Sequence, residues 1–163
     1  MVISNTTPLI NFAEIGLLEV LEQLFPRIII PQSVVEELKA KEVLFPNAAN
    51  VPEMHFIEIA NPESVILVNE LKRGLHSGEA ACIALAIESR TPSPKLILDE
   101  VAARQVAKFH DLKFTGTLGC LLEAKKRKLI SNITPILEDL AGLARFWIHP
   151  NLKQRMLQTA GES

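Results

Sequence analysis

Apolar and polar positions along this chain fall into blocks that switch between a two-residue and a 3.6-residue period. Met1–Ser4 (MVIS), Arg27–Ile30 (RIII), Lys95–Leu98 (KLIL) and Leu112–Thr115 are short apolar runs closed by polar residues or Pro, as buried strands are. His55–Ala60 (HFIEIA) alternates, as an edge strand does. Helical spacing fills the intervals. Thr7-Pro8 predicts an N-cap followed by Pro at the first helical position. Leu9, Ile10, Ala13, Leu17, Leu18, Leu21 and Leu24 continue that face, with a break near Gly16. Ser33 opens a helix carrying Val34, Val35 and Leu38, and Asn61-Pro62 opens another over Glu63–Lys72. The FPNAANVPE stretch between them reads as a loop. Ser77–Ser89 is apolar on every side, which predicts a buried helix lying against a sheet. Further helices are expected through Ala103, Val106 and Ala107, from Gly116-Thr117-Leu118-Gly119 to the KKRK run, over Ile133–Leu143, and after Pro150. Continuous apolar strands alternating with helices predict an α/β fold, a mainly parallel sheet covered on both faces. One domain over residues 1–163 is expected, with the C-terminal helices from about 132 packed onto it.

Composition narrows the class. The chain has 163 residues, 48% hydrophobic and 22% charged, which excludes a disordered tail and leaves enough apolar surface for one core. Cys82 and Cys120 both lie in apolar stretches, so a disulfide framework is not expected and a reducing, cytoplasmic setting is. The first thirteen residues are uncharged but lack a cationic start and include Asn5, Thr6, Thr7 and Asn11, so no leader or membrane span is expected there. The net charge of −2 conceals an asymmetry: residues 1–103 hold seven Lys/Arg against fourteen Asp/Glu, and residues 104–163 hold ten against five. An acidic body with a basic C-terminal third suits a polyanion partner beside a cation site, although uneven scatter explains it equally well.

In open α/β sheets, ligands bind beyond the carboxyl ends of the strands. Asn5 follows the first strand, and Asp99 with Glu100 follows KLIL. Asp99 alone reads as a cap for the helix that follows it. Glu79 occupies the first turn of the apolar helix, where the dipole favours an anion but burial demands a partner. At about 100° per residue, Glu36 points away from the Val34/Val35/Leu38 face, whereas Glu37 borders it and can turn toward a cleft. Several carboxylates at one cleft stay ionised together only around cations. Their oxygen ligands suit Mg²⁺ or Mn²⁺, and the four histidines show no metal-ligand spacing.

The segments VISNTTPLI, IIIPQSVVEEL, HSGEAACIALA, LILDEVAARQVA and TGTLGCLLEAKKRKLI, in that order, resemble the PIN-domain family, in particular its small prokaryotic VapC-like members. The resemblance covers roughly Met1 to Ile130. It implies a Rossmann-like α/β/α sandwich that cuts single-stranded RNA with Mg²⁺ or Mn²⁺, by metal-activated water. It also implies the toxin of a toxin–antitoxin pair, with an antitoxin partner and often a homodimer. Carried over by position, the catalytic set is Asn5, Glu37, Glu79, Asp99 and Glu100, with Glu37, Glu79 and Asp99 as metal ligands. Thr7 takes the place of a small hydroxyl residue, and Thr115, Gly116 and Thr117 offer backbone amides to a phosphate. Arg104, Lys108 and the Lys125–Lys128 run, Lys125 and Lys126 foremost, would guide the RNA backbone, although a basic helix end also complements its own dipole. Asn5 departs from the pattern: the family carries an aspartate there, and an amide brings only a neutral oxygen.

Three readings follow. The first is a metal-dependent endoribonuclease. The second is a weakened PIN domain that binds nucleic acid or an antitoxin, because Asn5 replaces the first aspartate. The third is a phosphorylatable receiver domain, disfavoured because Asn5, Thr6 and Thr7 stand where its acids belong. Phe146 and Trp147 are expected to pack the last helix onto the core or to anchor an interface.

Overall fold

The computed structural model describes residues 1–162; Ser163, the last residue of the expected domain, lies outside the described residues. The strands are β1 (Val2–Ser4), β2 (Ile28–Ile30), β3 (Ile57–Ile59), β4 (Lys95–Ile97) and β5 (Lys113–Thr115). The sheet order is β3-β2-β1-β4-β5 and every pairing is parallel. Ile3 lies between Ile29 and Leu96, and Ile97 pairs with Thr115. Ile3, Ile28, Ile30, Leu96 and Ile97 are fully buried, as two-face coverage requires.

The order places a topological switch at β1/β4. The chain steps outward from β1 through β2 to β3, then returns to β4 beside β1 and on to β5. Right-handed crossovers put the outward connections on one face and the return on the other. The first layer holds α1 (Thr6–Glu14), α2 (Leu18–Leu24), α3 (Gln32–Ala40) and α7 (Thr117–Lys126), with α1 touching the other three. The second holds α4 (Val65–Leu71), α5 (Ser77–Glu88) and α6 (Val101–Phe109), with α5 lying on β1 and β4. This is the three-layer α/β/α arrangement that the apolar pattern predicts. Residues 78–86 of α5 are all buried, which accounts for its lack of a polar face. α3 and α5 also meet each other across the carboxyl end of the sheet.

The boundaries differ from expectation in instructive places. α1 starts at Thr6 with Asn5 in the cap position, two residues earlier than the Thr7-Pro8 signal places them. Pro8 is tolerated there because first-turn N–H groups have no helical partner to lose. The break near Gly16 is real: that residue has φ of 71° and separates α1 from α2. Two short 3₁₀ turns, Pro46–Ala48 and Val51–Glu53, punctuate the expected loop. Phe146 is partly buried against the core, whereas Trp147 is 75% exposed and packs little.

α8 (Thr134–Gly142) and α9 (Pro150–Ala160) close the chain, with Leu137, Leu140 and Met156 buried. Glu162 clamps this tail. Its carboxylate accepts from Lys125 Nζ at 2.7 Å, from the amide of Ile133 at 2.8 Å, and from the amide and hydroxyl of Thr134 at 3.1 and 2.9 Å. Lys125 foremost, then these amides, holds its pKa down from 4.5 to about 2. A depressed carboxylate adds stability above its unfolded pKa and loses it as pH falls toward the folded value. Glu162→Gln is therefore expected to lower the melting temperature at neutral pH by roughly 2–4 °C. Melts between pH 7 and pH 2 should show that gap closing below about pH 4.5, and a gap independent of pH would count against the clamp.

Candidate active site

The carboxyl ends of β1 and β4 deliver Asn5 and the Asp99–Glu100 pair to the switch point, and α3 and α5 bring Glu37 and Glu79 to the same edge. Asn5, Thr6, Thr7, Glu37, Glu79 and Glu100 line one cleft of about 290 Å³, together with Lys41 and His76. Glu36 is exposed and Glu37 half-buried, which is the orientation that helical geometry assigns to the pair.

Each acid in the cleft has a fixed partner. Glu37 accepts from the Gly78 amide at 2.9 Å and from the Thr6 hydroxyl. That approach depends on glycine: a Cβ at position 78 would lie 2.6 Å from Glu37 Oε2 and 2.9 Å from Asn5 Oδ1. Glu79 is buried and accepts from the His76 amide at 3.0 Å, a capping-box contact that pins it at the start of α5. Glu100 accepts from the Thr7 hydroxyl at 2.5 Å and from Asn5 Nδ2 at 3.3 Å. Burial raises the Glu79 pKa, the His76 amide opposes this, and the negative charges of Glu100 and Glu37 raise it further.

Asn5 Oδ1 is buried without a hydrogen-bond partner. Buried acceptors are satisfied as a rule, so an orphan oxygen beside three carboxylates marks a place for a donor or a cation. The three carboxylates and Asn5 offer oxygens, the donor set of Mg²⁺ or Mn²⁺, and the His76 ring lines the same cleft. Among the described residues, no three His, Cys, Asp or Glu side chains are drawn together closely enough to hold an ion as they stand. The acids line a cleft rather than form a closed cage. The residue types fit a hard divalent ion, with Asn5 as the neutral member.

Asp99 lines a neighbouring cavity rather than this cleft. It is a helix cap, but not of the helix that follows it. Oδ1 accepts from the Thr117 amide at 2.8 Å, and Oδ2 accepts from the Thr117 hydroxyl at 2.7 Å and from Asn11 Nδ2 at 3.3 Å. These bonds tie the end of β4 to the start of α7. Burial raises the Asp99 pKa, Thr117 opposes it by both bonds, and the Glu100 charge adds to the rise.

The residues expected to meet RNA also separate. Thr7 bonds Glu100 inside the cleft, and the Thr117 amide is taken by Asp99, so it is not a free donor for phosphate. Thr115 and Gly116 line a different cavity with Arg104, whose Nε donates to Leu98 O at 2.8 Å. Lys125 is held by Glu162 and is no free cation, while Lys126 is exposed. Lys125 stands eight residues along α7 from Thr117, roughly 12 Å at helical rise. Sequence reasoning missed the cations that share cavity walls with Glu37, Glu79 and Glu100. Lys41 lines the acidic cleft, and Lys72 and Arg73 line an adjoining one with Glu79 and Glu100. The signal was present at Lys41, four residues after Glu37 and on its helical face, and in the basic pair closing α4.

No helix among the described residues is long and apolar enough to cross a membrane. No curated protein and no solved structure matches the chain. A family model does: DUF3368, described as a PIN domain, over residues 1–162.

Proposed function

Because the chain belongs to the PIN-domain family, we propose that it is a Mg²⁺- or Mn²⁺-dependent nuclease of single-stranded RNA whose active centre is the cleft of Asn5, Glu37, Glu79 and Glu100. The observation that carries this reading is the orphan Asn5 Oδ1, buried beside three carboxylates at the switch point of the sheet. Glu37, Glu79 and Glu100 would hold the ion, with Asn5 as a neutral fourth ligand; Asp99 would support them from behind through Thr117 and α7. When bound, the ion would polarise a phosphate oxygen and acidify water for attack on phosphorus. Thr6 and the Gly78 amide orient Glu37, Thr7 and Asn5 orient Glu100, and the His76 amide orients Glu79. Lys41, Lys72 and Arg73 supply the positive charge that brings a polyanion against an acidic site. The chain is taken as one domain over residues 1–163, and the cytoplasmic toxin with its antitoxin and homodimer belongs to the same proposal.

The test is cleavage of single-stranded RNA with and without Mg²⁺ or Mn²⁺. Glu37→Gln keeps the shape of the side chain but removes a charge, and is expected to slow metal-dependent cleavage by about 10²-fold, with folding intact by circular dichroism. Cleavage that persists in EDTA, or that ignores Glu37, would sink the proposal. A second reading rests on Asn5: a neutral ligand weakens the hold on the ion, leaving a domain that binds RNA or an antitoxin and cuts slowly. RNA affinity without metal-stimulated cleavage would favour it.

A further inference from the structure

Beside the acidic cleft lies a second cavity, of about 420 Å³, between the end of β5, α7 and α9. Its walls are mixed in a particular way. Phe114 and Phe146 contribute aromatic surface, Leu118 and Met156 aliphatic surface, and Arg104 and Arg155 two guanidinium groups. Arg104 lies over the Phe114 ring at 5.6 Å. It spends one N–H on Leu98 O and stands 4.0 Å from an Asp99 oxygen already bonded to Thr117, so most of its donors and much of its charge are uncommitted. Arg155 is exposed and forms no ion pair among the described residues. Glycine keeps the space open: a Cβ at Gly116 would collide with Arg104 Nη2, and one at Gly119 with the Thr115 hydroxyl.

These features select among ligand chemistries. A purely apolar ligand would leave Arg155 unpaired and the remaining Arg104 donors unused, and a bare phosphate has no use for the aromatic surface. A nucleotide unit satisfies both, its base lying on apolar and aromatic side chains and its phosphate meeting guanidinium. The volume falls within the range that small-molecule sites occupy. Position adds a second argument. Asp99 lines this cavity while Glu100, the next residue, lines the acidic cleft, so the two spaces flank a single strand end.

We infer that this cavity is a nucleotide-binding subsite, holding the base and phosphate of one unit of a single-stranded chain beside the acidic cleft. The inference rests on the reading of the chain as a nuclease of single-stranded RNA, and it is tested without cleavage. In EDTA, the four nucleoside 5′-monophosphates and ribose 5-phosphate are titrated by calorimetry into the native protein and into Arg155→Ala and Leu118→Trp. At least one nucleotide is expected to bind about tenfold more tightly than ribose 5-phosphate. Arg155→Ala should weaken it by about tenfold, and Leu118→Trp should abolish it by filling the space. Arg155 lies on the surface, so its variant stays informative if Leu118→Trp fails to fold. Equal binding of ribose 5-phosphate and nucleotides, or affinities indifferent to Arg155→Ala, would overturn the subsite. An oligoribonucleotide titrated in EDTA separates strand from free nucleotide: a parallel loss in Arg155→Ala supports the strand, and an unchanged oligonucleotide affinity overturns that part. Nucleotide binding that responds to these variants, in a protein showing no metal-dependent cleavage, would uphold the subsite while the nuclease reading fails.

Discussion

Replacing Asp99 with alanine is expected to destabilise the metal-free protein by about 3 kcal/mol, a fall of roughly 6–12 °C in melting temperature for a chain of this size. The reason is what the carboxylate leaves behind. The Thr117 amide and hydroxyl and the Asn11 side-chain amide all donate to it, and Thr117 and Asn11 are 0% and 1% exposed, so water cannot replace the lost acceptor. Asp99→Asn should cost less, because an amide oxygen can still accept from the Thr117 N–H. A residue whose main task was to hold a cation would behave in the opposite way, its removal relieving buried charge when no metal is present. The pH dependence separates the two further. Burial holds the Asp99 carboxyl above its ordinary 3.8, so the native state takes up a proton before the unfolded chain does. The contribution of this group therefore declines as pH rises through that interval, and Asp99→Ala should lack that decline. An alanine variant that melts in EDTA at the wild-type temperature would refute the capping role.

The second large effect is expected at Asn5. In Asn5→Asp, the amide that donates to Glu100 at 3.3 Å becomes a fourth carboxylate in a cleft that already holds Glu37, Glu79 and Glu100. Without metal, repulsion and the lost bond should lower stability by about 2 kcal/mol, or roughly 4–8 °C. Millimolar Mn²⁺ or Mg²⁺ should reverse the sign, because an ion that binds only the native state stabilises it in proportion to its occupancy. Metal-dependent cleavage should rise by about tenfold with the recovered charge. The decisive measurement is the melting temperature against metal concentration for both proteins. If Asn5→Asp responds to metal no more than the native chain, Asn5 does not face the ion.

How much of this could be read from residues alone depends on the range of the interaction involved. Buried parallel strands have no polar face, so runs such as RIII and KLIL announce themselves locally, and the Ala80–Ile87 stretch, apolar on every side, reads as a covered helix. The turn of Glu37 toward the site, with Glu36 turned away, follows from helical geometry within one element. Asp99 shows where local reasoning stops. Its side chain satisfies a helix start 18 residues downstream, an arrangement created by the pairing of β4 with β5 and invisible to a pattern that looks only at the next turn. The Glu162 clamp was missed for the same reason: its closest partners, Lys125, Ile133 and Thr134, lie 28 to 37 residues away. Lys125 looked like a free cation because its partner Glu162 follows another helix, whereas Arg127 of the same run pairs locally with Glu123.

The bond from Asn5 to Glu100 spans 95 residues and exists only because β1 pairs with β4 at the centre of the sheet. An amino-terminal fragment carrying β1, β2 and β3 contains Asn5, Thr6 and Glu37 but lacks Glu79 and Glu100. Contacts this distant along the chain form late, after the entropy of closing a long loop has been met. On the reading of the cleft as an active centre, Asn5 and Glu100 come together only when the central strand pair closes. A chain that stops before β4 lacks Glu100, and with it the partner of both Asn5 and Thr7.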